Sequence, residues 1–298
     1  MKTMKTLTVF TPTFNRAECL RRCYESLLRQ TCRDFVWLVV DDGSSDGTAD
    51  LVREWQRAGH VEIRYHYQEN GGMHTAHNAA YRLMDTELNV CLDSDDLMTE
   101  DAVAAILEFW KRRGSERLAG IAGLDADVRT GELIGTAFEE DGREMTLTGF
   151  YAAGGRGDKK LVYRTALMKR LPPYPVFPGE KYVGLGYKYM LADEAAPLLA
   201  MNRVLCLVEY REDGSSKNMF TQYVRNPRGF AFLRKEGMKR QPSGRRRFME
   251  AVHYVSASLL ARHARFLQES PRPFLTLAAV PFGIALMCLI VMKNRNNG

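Results

Sequence analysis

The 298-residue sequence has no Cys-x-x-Cys pair, no Gly-x-Gly-x-x-Gly after its first strand-like run, no Walker phosphate loop and no internal repeat. Each absence closes a class. Six cysteines (Cys19, Cys23, Cys32, Cys91, Cys206, Cys288) are too sparse and irregular for a disulfide framework, and without a Cys-x-x-Cys pair a structural zinc site is not expected. A reducing cytosol is the expected compartment. The missing glycine fingerprint and phosphate loop exclude an ordinary dehydrogenase and a P-loop enzyme. No glycine or heptad period runs through the chain, so collagen and coiled coil are excluded. Met1-Lys2-Thr3-Met4-Lys5 is not followed by an apolar run of signal-peptide length, and export is not expected.

What remains is globular in composition, 45% hydrophobic and 26% charged. The net charge of +6 is unevenly spread: from Arg225 onward there are 14 Lys/Arg against 3 Asp/Glu, which leaves residues 1–224 at −5. A basic tail on an acidic body fits an anionic surface. No nucleic-acid-binding motif accompanies it, so a membrane surface is expected as partner and nucleic acid is not. Phe274–Met292 has sixteen apolar residues in nineteen and no charge, with Arg272 before it and Lys293 and Arg295 after. As a helix it would be about 28 Å long, close to a bilayer's hydrocarbon thickness. A spanning helix, an interfacial or re-entrant anchor and a buried core helix all fit that composition. Upstream, Arg245-Arg246-Arg247 opens a helix predicted to reach about Leu267.

The first hundred residues alternate strand and helix patterns. Leu7–Thr11 is a β-prone run ending at Pro12, and Asn15 with Glu18 resembles a capping box for a helix carrying Leu20, Cys23, Leu27 and Leu28. Phe35–Val40 is a continuous apolar run, as a strand buried on both faces should be. Leu51, Val52 and Trp55 mark a second helix, Val61–Tyr67 an alternating strand, Ala76–Leu83 a third helix and Leu88–Leu92 a fourth strand; Thr99 is read as the cap of the next helix. This order implies an α/β fold with a mostly parallel, Rossmann-like sheet flanked by helices. Ligands in such sheets sit beyond the carboxyl ends of the strands. Four polar loops fall there: Pro12-Thr13-Phe14-Asn15, Asp41-Asp42-Gly43-Ser44, Gln68-Glu69-Asn70-Gly71-Gly72 and Asp93-Ser94-Asp95-Asp96.

Three carboxylates within four residues repel one another unless a cation or hydrogen-bond donors compensate. Hard divalent cations take oxygen ligands, commonly one or two carboxylates plus substrate phosphates, so the last loop suits a metal bridge to a diphosphate. A plain turn and helix cap is the bland alternative. Asp41 and Asp42, at the centre of the sheet, suit a base N–H or ribose hydroxyl, and Asn70 with Gly71 permits close backbone approach; tight turns explain both equally. His74 and His77, three apart on a helix with no third ligand nearby, are expected at the surface or against a ribose rather than on zinc.

Thr11-Pro12-Thr13-Phe14-Asn15-Arg16, Val39-Val40-Asp41-Asp42-Gly43-Ser44-Ser45-Asp46, Asn70-Gly71-Gly72 and Leu92-Asp93-Ser94-Asp95-Asp96, in this order and spacing, resemble the family 2 glycosyltransferases of GT-A fold. The likeness is strong over about residues 5–110. It runs more loosely to about 230 through Gly157-Asp158-Lys159, Phe177-Pro178-Gly179-Glu180-Lys181 and Glu209–Gly214, pieces similar to bacterial enzymes of capsular and surface polysaccharide synthesis. The resemblance implies a nucleoside-diphosphate sugar donor, usually a UDP-sugar. Pro12, Thr13, Asn15, Asp41, Asp42, Asn70, Gly71 and Asp93 would hold the nucleotide. Asp95, supported by Asp93, would ligate Mn2+ or Mg2+. It also implies an inverting displacement, which needs a general base after the metal loop. Glu180 fits that place and Asp158 is the second candidate; many relatives carry Glu-Asp where this chain has Glu180-Lys181.

The expected organisation is a catalytic domain over 1–230, with a nucleotide-binding half (1–112) and an acceptor half (113–230), followed by a basic helical region (231–298) containing the apolar segment 274–292. The expected acceptor is a saccharide, lipid-linked, at the cytoplasmic face of the cell membrane. Tyr182, Tyr187 and Tyr189 suit either sugar stacking or the core, and Asn218–Arg228 is read as a lid with Arg225 or Arg228 as its cation. Two rivals predict other outcomes: a nucleotidyltransferase of similar fold, and a non-catalytic sugar-nucleotide binder that never turns over.

Overall fold

The computed structural model describes residues 5–209 and 219–296. It divides into two compact units, one of residues Met1–Pro173 with Lys188–Tyr210, the other of Tyr174–Tyr187 with Arg211–Gly298.

The first unit opens with β1 (Leu7–Thr13), α1 (Ala17–Leu28), β2 (Phe35–Asp41), α2 (Thr48–Ala58), β3 (Ile63–Tyr67), α3 (Met73–Leu83) and β4 (Leu88–Cys91). It continues through β5 (Leu97–Met98), α4 (Ala102–Arg113), β6 (Gly120–Asp127), β7 (Glu144–Met145), α5 (Leu147–Ala152), β8 (Lys159–Arg164), α6 (Thr165–Arg170), most of α7 (Gly186–Ala195) and β9 (Leu198–Val208). The nine strands form one sheet in the order β3-β2-β1-β4-β8-β6-β9-β5, with β7 on β9. β1 to β4 are parallel, as the apolar blocks require. The second half is mixed rather than mostly parallel: β8 runs antiparallel to both β4 and β6, and β6 is parallel to β9. β1 and β2 are buried at every residue, and Tyr24, Trp37 and Trp55 stack beneath them at centroid distances of 4.2–5.8 Å.

Local readings shift at the ends of elements. β1 continues through Pro12 to Thr13, because pairing with β4 stops at Phe10–Cys91 and the missing proline N–H breaks no ladder bond on that side. Asn15 does not cap α1; the cap position is Arg16, without a side-chain bond, and Asn15 sits in the left-handed region at φ 50°. Thr99 lies ahead of α4, whose cap position is Asp101, and its hydroxyl bonds the Val204 carbonyl instead.

The second unit holds α8 (Met219–Arg225), α9 (Pro227–Arg240), α10 (Gly244–Leu260) and α11 (Pro273–Asn296). α10 stops at Leu260 rather than near Leu267. Arg262 takes a left-handed φ of 53° and the His263 amide reaches back to the Ser258 carbonyl, a helix stop that glycine would normally signal. Met238, Val252, Tyr254, Val255 and Ala279 form one apolar cluster here, and Tyr223, Phe230, Ala257 and Ile290 another.

Candidate active site

The carboxyl ends of β1, β2 and β3 are tied into one cradle. Asp41 is fully buried; one carboxylate oxygen accepts from the Ser44 amide at 2.8 Å and the other from the Tyr65 hydroxyl at 2.6 Å. Burial and the Asp41 carboxylate push the Tyr65 hydroxyl well above the ordinary tyrosine range. Asp42 accepts from Gln68 Nε2 at 2.7 Å and from the Gly71 and Gly72 amides at 3.0 and 2.7 Å, while the Asn70 side chain donates to its carbonyl. The Asn15 amide donates to Ser44 Oγ and its side-chain oxygen accepts from the Ser45 amide, both at 2.8 Å. Asp46 accepts from the Ala17 amide and from Thr48; burial raises its carboxyl, but these donors outweigh that and hold it below the ordinary value. Gly43, at φ +90°, packs so closely on Asn70 that a Cβ would stand 2.8 Å from its amide nitrogen. Pro12 and Thr13 line the buried end of β1, and the Thr13 hydroxyl is buried without a partner among the described residues.

The Asp93–Asp96 loop follows β4 at the same rim. Asp93 and Asp95 are half-buried, and Asp96 is 5% exposed. Arg16 pairs with Asp95. Behind the loop, Lys160 of β8 approaches Asp96 at 3.6 Å and the Cys91 carbonyl at 3.5 Å. Burial opposes its charge, but Cys206, Asp125, Asp96 and Asp93 hold its ammonium above the ordinary lysine value. Burial pushes the Asp96 carboxyl up, against Lys160 and together with Asp93, Asp95 and Asp125, to about 7. Asp125 is buried with one oxygen unpartnered among the described residues, and burial raises it too. Four acids thus face two paired cations, Arg16 and Lys160, and the loop keeps a negative excess. No group of three or more His, Cys, Asp or Glu able to hold a metal occurs among the described residues. Two hard carboxylates are the donor set of an ion that completes its shell with water and phosphate oxygens, so Asp93 and Asp95 fit Mg2+ or Mn2+ in that manner.

The two candidate bases lie in different settings. Glu180 is 9% exposed and caps α9: it accepts from the Arg228 and Gly229 amides at 3.0 and 2.9 Å and from Arg228 Nε at 2.9 Å. Arg228, expected as a lid cation, is therefore engaged in this pair, while 210–218 of the expected lid and of the Glu209–Gly214 segment lie outside the described residues. Asp158 is exposed, and no donor among the described residues reaches its carboxylate. It precedes β8, whose pairing of Val162 with Val90 carries the start of the strand to the rim of the acidic loop. His74 and His77 are buried rather than superficial, at 1% and 0% exposure. Burial, with Lys188 and His74 adding, lowers His77 to about 3, and burial also lowers His74. Tyr182 stacks on Phe230 at 4.8 Å and Tyr187 meets Phe232 edge-on, which are core contacts; Tyr189 stacks on Tyr163. Lys160 and Asp125 gained no role from the sequence, and Arg16 and Gln68 only a place in the quoted loops. For Lys160 the one signal was the lysine doublet that opens β8.

The family model described as glycosyl transferase family 2 matches residues 8–127, the stretch that builds the cradle and the acidic loop. Chondroitin synthase of Escherichia coli is 32% identical over 138 residues, 46% of this chain and 20% of that enzyme, so the chain spans about a fifth of this relative. Among solved structures, Staphylococcus aureus TarS 1-349 in complex with UDP-GlcNAc superposes with a TM-score of 0.65 at 18% identity, covering 98% of this chain and 92% of that one. The mannosyltransferase PcManGT of Pyrobaculum calidifontis, in complex with GDP-Man and Mn2+, does so at 0.54 and 16% identity, covering all of this chain and 77% of that one. The fold is GT-A, and over residues 8–127 the chain is similar to glycosyl transferase family 2.

Proposed function

We propose that this chain transfers a sugar, with inversion, from a UDP-sugar to a saccharide acceptor in the synthesis of a bacterial surface polysaccharide. The carrying observation is the acid-rich Asp93–Asp96 loop standing at the same rim as the cradle built on Asp41 and Asp42. The nucleotide donors bound by TarS and PcManGT support the donor class. Pro12, Thr13, Asn15, Asn70 and Gly71 surround the nucleoside, with the unpartnered Thr13 hydroxyl available to it. Asp41 and Asp42 act chiefly by holding these loops in place. Asp95 and Asp93 hold the divalent metal, which when bound supplies positive charge against the departing diphosphate. Arg16, the cation paired with Asp95, stands beside this pair to meet the donor's phosphates. An inverting displacement needs a carboxylate free to accept the acceptor's proton. The unoccupied lone pairs of Asp158 support it over Glu180, whose oxygens are spent on α9. Residues 1–112 serve the donor and 113–230 the acceptor. The acceptor is lipid-linked, and the basic region 231–298 holds the enzyme at the cytoplasmic membrane face.

The test is release of UDP from a panel of UDP-sugars with Mn2+ and acceptor, on the whole chain and on Asp95→Ala. Turnover should be lost in the variant, and should be lost from the unmodified chain when the metal is chelated. The anomeric configuration of the product, read by NMR, should be opposite to the donor's. UDP binding without turnover of any donor would sink the proposal in favour of a binding protein.

A further inference from the structure

α11 is apolar on every side but is buried along only one stripe. Thr276, Ala279, Gly283 and Ile290 are buried. They recur at helical spacing and pack on Val252, Val255, Ala257 and Met238. The other side is open: Phe274 is 89% exposed, Met292 58%, and Leu277, Phe282, Ile284 and Leu289 between 43% and 59%. Ala278, Pro281, Ala285 and Cys288 complete this face, and no polar side chain interrupts it. A soluble surface rarely carries so long an apolar face without a partner.

Charge says what covers it. From Ser270 onward the sequence has the cations Arg272, Lys293 and Arg295 and no acidic residue. At the start of α11 a cleft of about 360 Å³ is lined by Arg247 and Arg272 together with Phe274 and Leu275. The Arg247 Nε is buried there without a partner among the described residues. Guanidinium groups beside exposed aromatic and aliphatic side chains suit a phosphate whose acyl chains lie alongside.

Packing says how the helix lies. The stripe from Thr276 to Ile290 rests on the rest of the unit along most of the helix. That support carries the Arg234–Glu250 pair, His253 and the buried Ser256 and Ser258. A helix crossing the bilayer would draw this polar support into hydrocarbon, where unmatched polar groups are costly. We infer that α11 lies in the plane of an anionic phospholipid leaflet, its open face sunk among the acyl chains and Arg247, Arg272, Lys293 and Arg295 on headgroup phosphates. This rests on the membrane association proposed above and adds its geometry.

The experiment uses the whole chain with Cys19, Cys32 and Cys91 replaced by serine and one labelling cysteine at a time, the native Cys288 or, with Cys288→Ser, Phe274→Cys, Phe282→Cys or Met292→Cys, each carrying an environment-sensitive dye. Vesicles of phosphatidylcholine with phosphatidylglycerol are compared with phosphatidylcholine alone, and lipids bearing quenchers at graded acyl depths report dye position. Expected is flotation with the anionic vesicles only, weakened by salt, with all four dyes at one shallow depth. Leu277→Asp with Leu289→Asp should lower vesicle binding at least about tenfold without moving the melting temperature. Dyes running from surface to bilayer centre and out again would overturn the in-plane geometry while keeping membrane association. Indifference to both vesicles, or dimerisation through this face instead, would overturn both. Neither readout requires sugar transfer.

Discussion

Glu180 and Asp158 show how little a carboxylate's place in a motif says about its work. Glu180 holds three N–H donors, two of them amides in the first turn of α9, and truncating it orphans them inside the fold. Glu180→Ala is expected to cost about 1–3 kcal/mol, seen as a lower melting temperature, and to leave the turnover of the remaining folded enzyme near wild type. Asp158→Asn is expected to do the reverse: unchanged melting and a kcat lowered about 10²–10⁴-fold. Opposite results would return the base to Glu180. The sequence placed both residues but not their partners, because Arg228 and Gly229 lie 48 and 49 positions beyond Glu180 and no local pattern couples them. Asp41 and Asp42 stand out in the sequence as an acidic pair ending an apolar run. That their oxygens would be committed to Tyr65, Gln68 and neighbouring amides was not legible, since those contacts cross from one strand end to the next.

At the scale of elements, β1 to β4 and α1 to α4 could be read from the sequence because the buried strands are mostly apolar runs, β3 alternates and the crossover helices are amphipathic, whereas the two-residue β5 left no signal. From β6 onward that signal fades. β6 opens with Gly120-Ile121-Ala122-Gly123 and β8 reads Lys159-Lys160-Leu161-Val162-Tyr163-Arg164, and their mixed pairing is decided by partners distant in sequence. The apolar character of α11 was plain, but which of its sides is open depends on where α10 touches it. Gly283 marks that contact: a Cβ there would stand 2.5 Å from the Val255 side chain and 3.1 Å from the Val252 carbonyl. Gly283→Leu should prise the two helices apart and destabilise their unit by about 1–3 kcal/mol, visible as faster amide exchange in α10 than in β1 and β2. Deleting α11 outright would be a poor probe of the membrane, because it would also uncover Val255, Ala257 and Tyr254.

For the whole molecule the buried histidines set an acid limit. His77 falls from an ordinary 6.5 to about 3, and His253 to about 4, in each case chiefly through burial. Between those values and 6.5 the unfolded chain binds more protons than the folded one, so stability falls as pH falls and is untouched above that range. His77 alone should remove about 2 kcal/mol by about pH 5. The Asp96 carboxyl, raised to about 7, works the other way over the same range, so the readout is a difference: between pH 7 and 5 the melting temperature of His77→Asn should fall less than that of the unmodified chain, and an equal fall would refute the assignment. The bonds from Asn15 to Ser44 and Ser45, from Asp46 to Ala17, and from Asp42 to Gly71 and Gly72 have a wider consequence. Loops some thirty residues apart in sequence were immobilised when the chain folded, so on the proposed function an incoming nucleotide meets a finished receptacle and loses little affinity to ordering it. Altering sugar-nucleotide preference will therefore demand matched changes on adjoining strand tips, since a replacement in one tip disturbs the next.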